Sequence, residues 1–300
     1  MPDTRQPLDA TAVAIMLVLT ALWGFQQVAA KLAAHGVSLV MQGAIRSAIA
    51  FALVLAWSRL RDIPLHTRDG TLVPGALAGI LFGAEFAMIY AGLAHTTASR
   101  MVVFLYLAPA LTALGLALLV PGELLAPRQW AGVALAFAGI VFAFRDGLMT
   151  GDRSTWIGDA LGVAAAVCWA ATTVLIRATP LARVRAEKTL AYQLGVSAPL
   201  MLLTSLALGE PGIVEATPLA VASLAFQSIV IAFASYLAWF WLLTRYLGGR
   251  LAVFSFATPL FGVAAGHLVL GEPLTPAFLF AAGLVGAGIV LVNFRAESDT

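Results

Sequence analysis

Two ionisable side chains lie inside long apolar runs of this sequence. Arg46 stands in LVMQGAIRSAIAFALV and Glu85 stands in LAGILFGAEFAMIY. A charged group at the centre of a bilayer costs about 2.5–3.5 kcal/mol on insertion scales, so it is retained for a partner or for a function. Two interpretations stay open. Arg46 and Glu85 pair with each other and fix the packing of neighbouring helices, or Glu85 faces a polar cavity.

Two prolines interrupt apolar runs at related positions, Pro109 in FLYLAPAL and Pro259 in FSFATPLF. A proline inside a helix removes one backbone donor and leaves the carbonyl of the residue four positions earlier unpaired. Inside a membrane, such backbone is tolerated only where protein or a water-filled cavity satisfies it. We therefore predict bends at Pro109 and Pro259 that act as hinges beside a cavity.

Further aromatic and polar residues are candidates for the wall of that cavity. Tyr106 precedes Pro109 by three residues, and Gln26 and Thr172 each follow a tryptophan by about one helical turn. Ordinary packing between helices is the competing interpretation for every one of them. Besides Glu85, the predicted site residues are Tyr106, Trp169, Gln26, Thr172, Phe82, Tyr236, Trp239 and Phe256.

The composition requires elements that cross a membrane. Of 300 residues, 61% are hydrophobic and 11% are charged, against roughly 45–50% and 25% in soluble domains. The net charge of +2 is too small to indicate a nucleic-acid partner, and the lone Cys168 excludes a disulfide or a thiolate metal site within one chain. No phosphate-binding G-x4-G-K-[ST] motif occurs. We predict no cofactor and no metal, with the lipid bilayer and a small molecule as partners.

Apolar runs of about 20 residues, the length that spans a bilayer, predict an all-α polytopic membrane protein with ten transmembrane helices. The predicted domains are an N-terminal segment 1–11, a first repeat 12–144, a linker 145–156, a second repeat 157–294 and a C-terminal segment 295–300. The helices are predicted near 12–30, 38–57, 72–93, 99–120, 129–144, 157–176, 189–208, 218–243, 251–270 and 277–294.

The two halves of the chain resemble each other. LTALWGFQQVAAKL at 19–32 is echoed by AAVCWAATTVLIRA at 165–178, and SRMVVFLYLAPAL at 99–111 is echoed by GRLAVFSFATPLF at 249–261. Because five spans are an odd number, the second copy must enter the membrane from the opposite face. Lys and Arg concentrate on the side of the N-terminus, which predicts cytoplasmic termini. Inverted repeats of this kind are typical of transporters with alternating access.

The sequence also resembles a known family. The W-x7-[KR] pattern in the first helix of each half, the proline-centred fourth and ninth helices and the G-E-x-L turns at 122–125 and 271–274 are similar to the EamA-type drug/metabolite transporter superfamily. Glu85, YLAP at 106–109 and CWAA at 168–171 further resemble the YddG-type exporters of aromatic amino acids. Ala108 stands where those exporters carry an aromatic residue, which predicts a roomier pocket.

The resemblance implies a secondary transporter of a bacterial-type inner membrane that exports amino acids, aromatic and other neutral ones, or related small amphipathic metabolites. In that interpretation Glu85 binds the amine of the substrate while Trp169, Tyr106 and Phe82 or Phe256 cover an apolar side chain. The alternatives are an exporter of drugs or nucleotide-like metabolites, a passive channel, and a membrane-embedded enzyme. The last is disfavoured because Ser197, the candidate nucleophile, has no histidine base at matching depth. Oligomeric state and coupling ion stay open.

Overall fold

The computed structural model describes residues 9–119, 126–149, 153–246, 254–255 and 257–293, and within these ranges the chain is helical with no strand. A ten-residue π-helix, Phe226–Ser235, and a 3₁₀ turn, Pro180–Arg183, lie between α-helices. The α-helices are α1 (Ala10–Ala33), α2 (Leu39–Leu60), α3 (Leu72–Leu93), α4 (Ala98–Leu105), α5 (Ala108–Leu119), α6 (Pro127–Met149), α7 (Arg153–Ala178), α8 (Ala186–Ala207), α9 (Pro218–Ala225), α10 (Tyr236–Arg245), α11 (Ala257–Leu270) and α12 (Pro276–Asn293).

Seven helical stretches are long and apolar enough to cross a bilayer, and the apolar α11 and α12 are shorter. The predicted all-helical membrane class is therefore confirmed for the described ranges. The predicted span 72–93 coincides with α3, whereas α6 continues to Met149 and α7 begins at Arg153, so much of the predicted linker 145–156 is helical.

Helix ends follow local sequence signals. Asp9 accepts a hydrogen bond from the N–H group of Ala12 at 2.7 Å and caps α1. Thr217 caps α9 through the N–H group of Ala220 at 3.1 Å, and Pro218, which needs no donor at the first helical position, follows it. Gly209 follows α8 with a φ of 68°, a left-handed value that glycine adopts without strain.

On one face of the helix bundle, two carboxylates cap the helices of the other half of the chain. Glu210, which follows α8, accepts hydrogen bonds from the N–H groups of Val40 and Met41 in the first turn of α2, both at 3.0 Å. Glu272, which follows α11, accepts a bond from the N–H group of Ala98 at the start of α4 at 2.7 Å. Each carboxylate satisfies orphan donors and complements the positive end of a helix dipole. These contacts lock the two halves together on this face.

The opposite face, where α1 begins, has its own cross-links. Lys188, at the start of α8, donates to Asp69 in the α2–α3 loop at 2.7 Å. This ammonium group, helped by the hydroxyls of Thr71 and Thr67, holds the pKa of Asp69 well below its usual range. The hydroxyl of Tyr246, just after α10, donates to Asp9 at 2.8 Å, and that bond raises the pKa of the tyrosine.

Close helix contacts depend on glycine. A Cβ atom built on Gly79 of α3 would lie 2.6 Å from the Cβ atom of Val196 in α8, and one on Gly75 would lie 2.4 Å from the ring of Tyr192. α3 and α8 therefore approach each other closely on this side of α3. Gly286 of α12 differs, because nothing lies within 4 Å of a Cβ atom built there.

The helical hydrogen-bond ladder changes in two stretches, one beside the predicted bend at Pro109 and one in residues 218–245. α4 ends at Leu105 and α5 begins at Ala108, and the N–H group of Leu107 bonds instead to the carbonyl of Phe104 at 3.1 Å. In residues 218–245 the ladder changes to π-type over ten residues, a form often found at functional sites. The core falls into two large apolar clusters, one around α2, α3 and α8 and one around α4, α6 and α12, and Trp169 packs against both.

Candidate functional site

Arg46 of α2 and Glu85 of α3 lie inside the first of these clusters. Arg46 is fully buried and Glu85 is 5% exposed. The guanidinium carbon of Arg46 lies 4.0 Å from the centre of the Phe86 ring. The two charges interact electrostatically, but no ion pair within 4 Å joins them in the described structure.

The polar atoms of Arg46 and Glu85 are left without close partners. The hydroxyl groups of Tyr90 and Tyr236 lie close enough to interact with the guanidinium group, yet none of its three nitrogens forms a hydrogen bond of ordinary length and angle with the residues that the structure describes. Glu85 likewise has no hydrogen bond within the described ranges. A buried charge without a close partner is expensive, and the described residues do not offset this cost with a close ion pair.

Aromatic rings border this charged pair. Phe82 and Phe86 pack against each other with ring centroids 4.7 Å apart. Trp169 meets Tyr106 edge-on, with centroids 5.6 Å apart. Cys168, the neighbour of Trp169 in α7, interacts electrostatically with Glu85. The structure therefore brings Glu85, Phe82, Tyr106 and Trp169, four of the predicted site residues, into one neighbourhood.

A buried chain of hydrogen bonds adjoins the site and was missed by the sequence reasoning. The Tyr90 hydroxyl donates to the side-chain oxygen of Gln227, whose amide nitrogen donates to Gln42 at 3.1 Å. The Gln42 amide nitrogen in turn bonds to the carbonyls of Ala30 and Val37 at 3.1 and 2.9 Å. The chain links α3, the π-helix, α2 and α1 and holds Tyr90 in place beside Arg46. The sequence signal that could have indicated this chain of bonds is that Gln42 and Gln227 each stand in an apolar run.

The remaining predicted residues are distributed differently. Trp239 packs on Trp23 with centroids 5.9 Å apart, in a cluster with Met16 and Leu242 that lies apart from Glu85. Thr172 is buried and donates to the carbonyl of Cys168 within its own helix at 2.8 Å. Gln26 is also buried, Tyr236 is half-buried beside Arg46, and Phe256 lies outside the described residues.

A second buried arginine shows how this fold satisfies a structural cation. Arg100 of α4 bonds through Nε to both carboxylate oxygens of Asp159 in α7 at 3.1 and 3.2 Å, and through Nη2 to the carbonyl of Ala143 at 2.7 Å. Thr96 also donates to Asp159, at 2.8 Å. The partners are 59 residues apart in the chain, so no local pattern of residues indicates that they pair.

A surface cavity of about 600 Å³ lies between α2, the α2–α3 loop, α3 and α8. It is away from the predicted site and contains none of its residues. Its polar rim includes the Lys188–Asp69 ion pair. The apolar lining is formed by Phe51, Leu55, Leu65, Leu72, Ala191 and Val196.

Known proteins share both the sequence pattern and the fold. The uncharacterized transporter YvbV of Bacillus subtilis strain 168 is 27% identical over 302 residues, covering 100% of this chain and 95% of its own. An uncharacterized transporter of Archaeoglobus fulgidus is 30% identical over 73% of this chain and 74% of its own. A probable amino-acid metabolite efflux pump of Salmonella typhimurium strain LT2 is 26% identical over 93% of this chain and 94% of its own.

A solved structure that is 22% identical has the same fold, with a TM-score of 0.66 over 94% of this chain and 97% of that chain. Residues 10–145 and residues 156–294 each match the EamA-like transporter family. With its apolar helices and two family matches, this multi-pass membrane protein belongs to the EamA-like transporter family.

Proposed function

We propose that this chain is a secondary transporter that exports amino acids, aromatic and other neutral ones, or related small amphipathic metabolites by alternating access. The observation that carries the proposal is Glu85, a buried carboxylate without a hydrogen bond in the described structure, set among Phe82, Tyr106 and Trp169. A carboxylate bordered by rings is suited to an ammonium group on an apolar body. The similarity to a probable amino-acid metabolite efflux pump supports the same substrate class.

The proposed machinery is a pair of inverted five-helix repeats. Contacts between the halves support it, because they occur in exchanged pairs. α3 packs against α7, and the counterpart of this contact joins α1 to residues 218–235. α1 packs against α11, and the counterpart of that contact joins α7 to α4 and α5. If α1–α6 form the first repeat, with α4 and α5 together as its fourth span, each of these contacts has its counterpart with the roles of the two halves exchanged. A two-fold axis in the membrane plane would generate this pattern.

Pro109 and Pro259 are the proposed hinges. Pro109 stands at the second residue of α5, directly after the interruption at Tyr106 and Leu107, and Pro259 stands near the start of α11. In both helices the proline lies within the first turn, where its missing N–H group is tolerated. Rotation at these points would let one set of helices tilt against the other and open the site to each face in turn.

Membrane orientation is the first test of the repeat proposal. We propose a bacterial inner membrane with both termini in the cytoplasm, since basic residues concentrate on that side. Single cysteines placed at Thr4 and Arg295 in a Cys168→Ser background would be labelled with a membrane-impermeant maleimide. Both should be protected in intact cells and labelled in inverted vesicles. Labels on opposite faces would contradict the inverted repeat.

Substrate counterflow tests the transport proposal. Proteoliposomes loaded with unlabelled phenylalanine should accumulate labelled phenylalanine faster than empty ones, because a carrier shows trans-stimulation and a channel does not. The panel would include neutral amino acids, a cationic dye and a nucleoside, each with and without a pH gradient. Glu85→Gln should abolish the stimulation, whereas the exposed Glu215→Gln should retain it. Native rates in folded Glu85→Gln would remove Glu85 from the site.

A further inference from the structure

Arg46 is a fully buried cation whose three guanidinium nitrogens form no hydrogen bond of ordinary length and angle with the residues that the structure describes, although the hydroxyl groups of Tyr90 and Tyr236 lie beside them. A guanidinium group presents five N–H donors and no acceptor, so it needs hydrogen-bond acceptors around it. Stacking on Phe86 at 4.0 Å stabilises one face of the group. The N–H bonds lie in the plane of the guanidinium group, whereas the ring stacks on its face. The N–H donors therefore stay available for hydrogen bonds.

Arg100 provides the internal comparison. In the same fold its guanidinium group bonds to the Asp159 carboxylate and to the carbonyl of Ala143. A purely structural arginine in this chain is therefore completed by the protein. Arg46 has an acidic neighbour in Glu85 but does not form a close ion pair with it, so its position needs another explanation.

The surroundings of Arg46 suit a carboxylate from outside the chain. Carboxylates accept two parallel hydrogen bonds from one guanidinium group, and such charge-assisted bonds are short and strong. Tyr236 provides a hydroxyl group beside the same position, whereas the hydroxyl hydrogen of Tyr90 is already donated to Gln227. An α-amino acid carries an ammonium group and a carboxylate on a single carbon. Such a molecule offers a partner of opposite charge to each of two protein groups that interact without forming a close ion pair.

We infer that Arg46 binds the carboxylate of the transported solute while Glu85 binds its ammonium group. The inference rests on the proposed function and makes it narrower: the substrates are zwitterionic α-amino acids, and amines without a carboxylate are poor substrates. Arg46 thereby sets specificity, and Phe86 holds its guanidinium group in the orientation that presents the N–H edge.

Substrate analogues test the inference on the native protein. Labelled phenylalanine counterflow would be competed with unlabelled phenylalanine, 2-phenylethylamine, which lacks the carboxylate, and 3-phenylpropionate, which lacks the ammonium group. Each analogue should compete at least about tenfold more weakly than phenylalanine, as expected for the loss of a hydrogen bond to a charged group. Equal competition by phenylalanine and 2-phenylethylamine would overturn the role of Arg46 and leave the transport proposal intact.

Variants assign the effect to Arg46. Arg46→Gln should weaken phenylalanine binding by at least about tenfold and leave 2-phenylethylamine binding within about twofold, so that the native preference for the amino acid disappears. Arg46→Lys keeps the charge but not the two-pronged geometry, and it should restore part of the preference. The matched control is Arg61→Gln, because Arg61 is exposed and also stacks on a ring, that of Trp57 at 4.7 Å.

The outcomes separate the two proposals. Absence of counterflow with every amino acid and amine would overturn the transport proposal and this inference with it. A folded Arg46→Gln protein that keeps the native preference for phenylalanine would overturn the inference alone. If Arg46→Gln does not give a monodisperse protein in detergent, the analogue series on the native protein decides.

Discussion

Trp169 of α7 meets Tyr106 edge-on, with ring centroids 5.6 Å apart and ring planes at 88°. The contact joins the helix interruption before Pro109 to the second half of the chain. If these rings cover the substrate side chain, Trp169→Ala should weaken binding of phenylalanine about threefold to tenfold, since an aromatic contact contributes about 0.5–1.5 kcal/mol beyond burial. Alanine, which has no ring, should bind with nearly native affinity. Competition in counterflow measures both, and an equal loss for both substrates would indicate a packing role for Trp169.

Tyr90→Phe should lower the stability of the protein by removing the donor to Gln227. We expect a loss of about 1 kcal/mol in the free energy of unfolding, because the Gln227 oxygen is left without its hydrogen bond. An unfolding titration, in which a mild detergent is progressively replaced by a denaturing one, measures this loss of free energy. In a double-mutant cycle, Tyr90→Phe should have a smaller effect in a Gln227→Leu background. Strictly additive effects would show that the bond contributes nothing.

Gly79→Val should destabilise the contact between α3 and α8. Its new side chain begins 2.6 Å from the Cβ atom of Val196, and overpacking of this kind costs about 1–3 kcal/mol. Gly286→Val is the matched control, because that glycine is also inside a helix but has open space around it. Thermal unfolding in detergent should show a lower midpoint for Gly79→Val only. Equal midpoints would mean that α3 and α8 can move apart without loss of stability.

Asp69 should stabilise the fold in a pH-dependent way through Lys188. Because folding lowers the pKa of this carboxyl, its contribution is complete above the unfolded value of about 3.9 and is lost as the pH falls through the folded value. The difference in melting temperature between the native protein and Asp69→Asn should be constant from pH 7 to pH 5 and should shrink below about pH 4. Lys188→Met should reduce the difference at pH 7 and leave the part that comes from the hydroxyls of Thr71 and Thr67. A difference that shrinks between pH 7 and pH 5 would contradict the assignment.

Hydropathy predicted the bounds of a helix correctly where one uninterrupted run of apolar residues forms one helix. α3 begins and ends where the run of apolar residues 72–93 does. Residues 218–245 show the limit of this signal, because apolar side chains are equally compatible with α-type and π-type hydrogen bonding, and only packing with α1 and α2 separates them. The short predicted helix 129–144 is longer in the structure because hydropathy does not detect the polar last turn of α6.

The site was predictable only in part. Glu85 and Arg46 could be found because a charge in an apolar run is conspicuous, and the family resemblance added Tyr106 and Trp169. Gln42 and Gln227 were missed, since neutral polar residues in apolar runs usually pack between helices. Their role comes from a bond between residues 185 positions apart. No local pattern in the sequence specifies such a partner.

The π-helical stretch Phe226–Ser235 makes the number of residues in this segment as important as their identity. Gln227 near its start bonds to Tyr90, and Ser235 at its end accepts a bond from Trp23 at 2.9 Å. Removing any single residue between them would return the stretch toward ordinary helical winding and rotate one end by about 100° relative to the other. Both bonds could not then survive together, so deletions should be less tolerated here than almost any substitution.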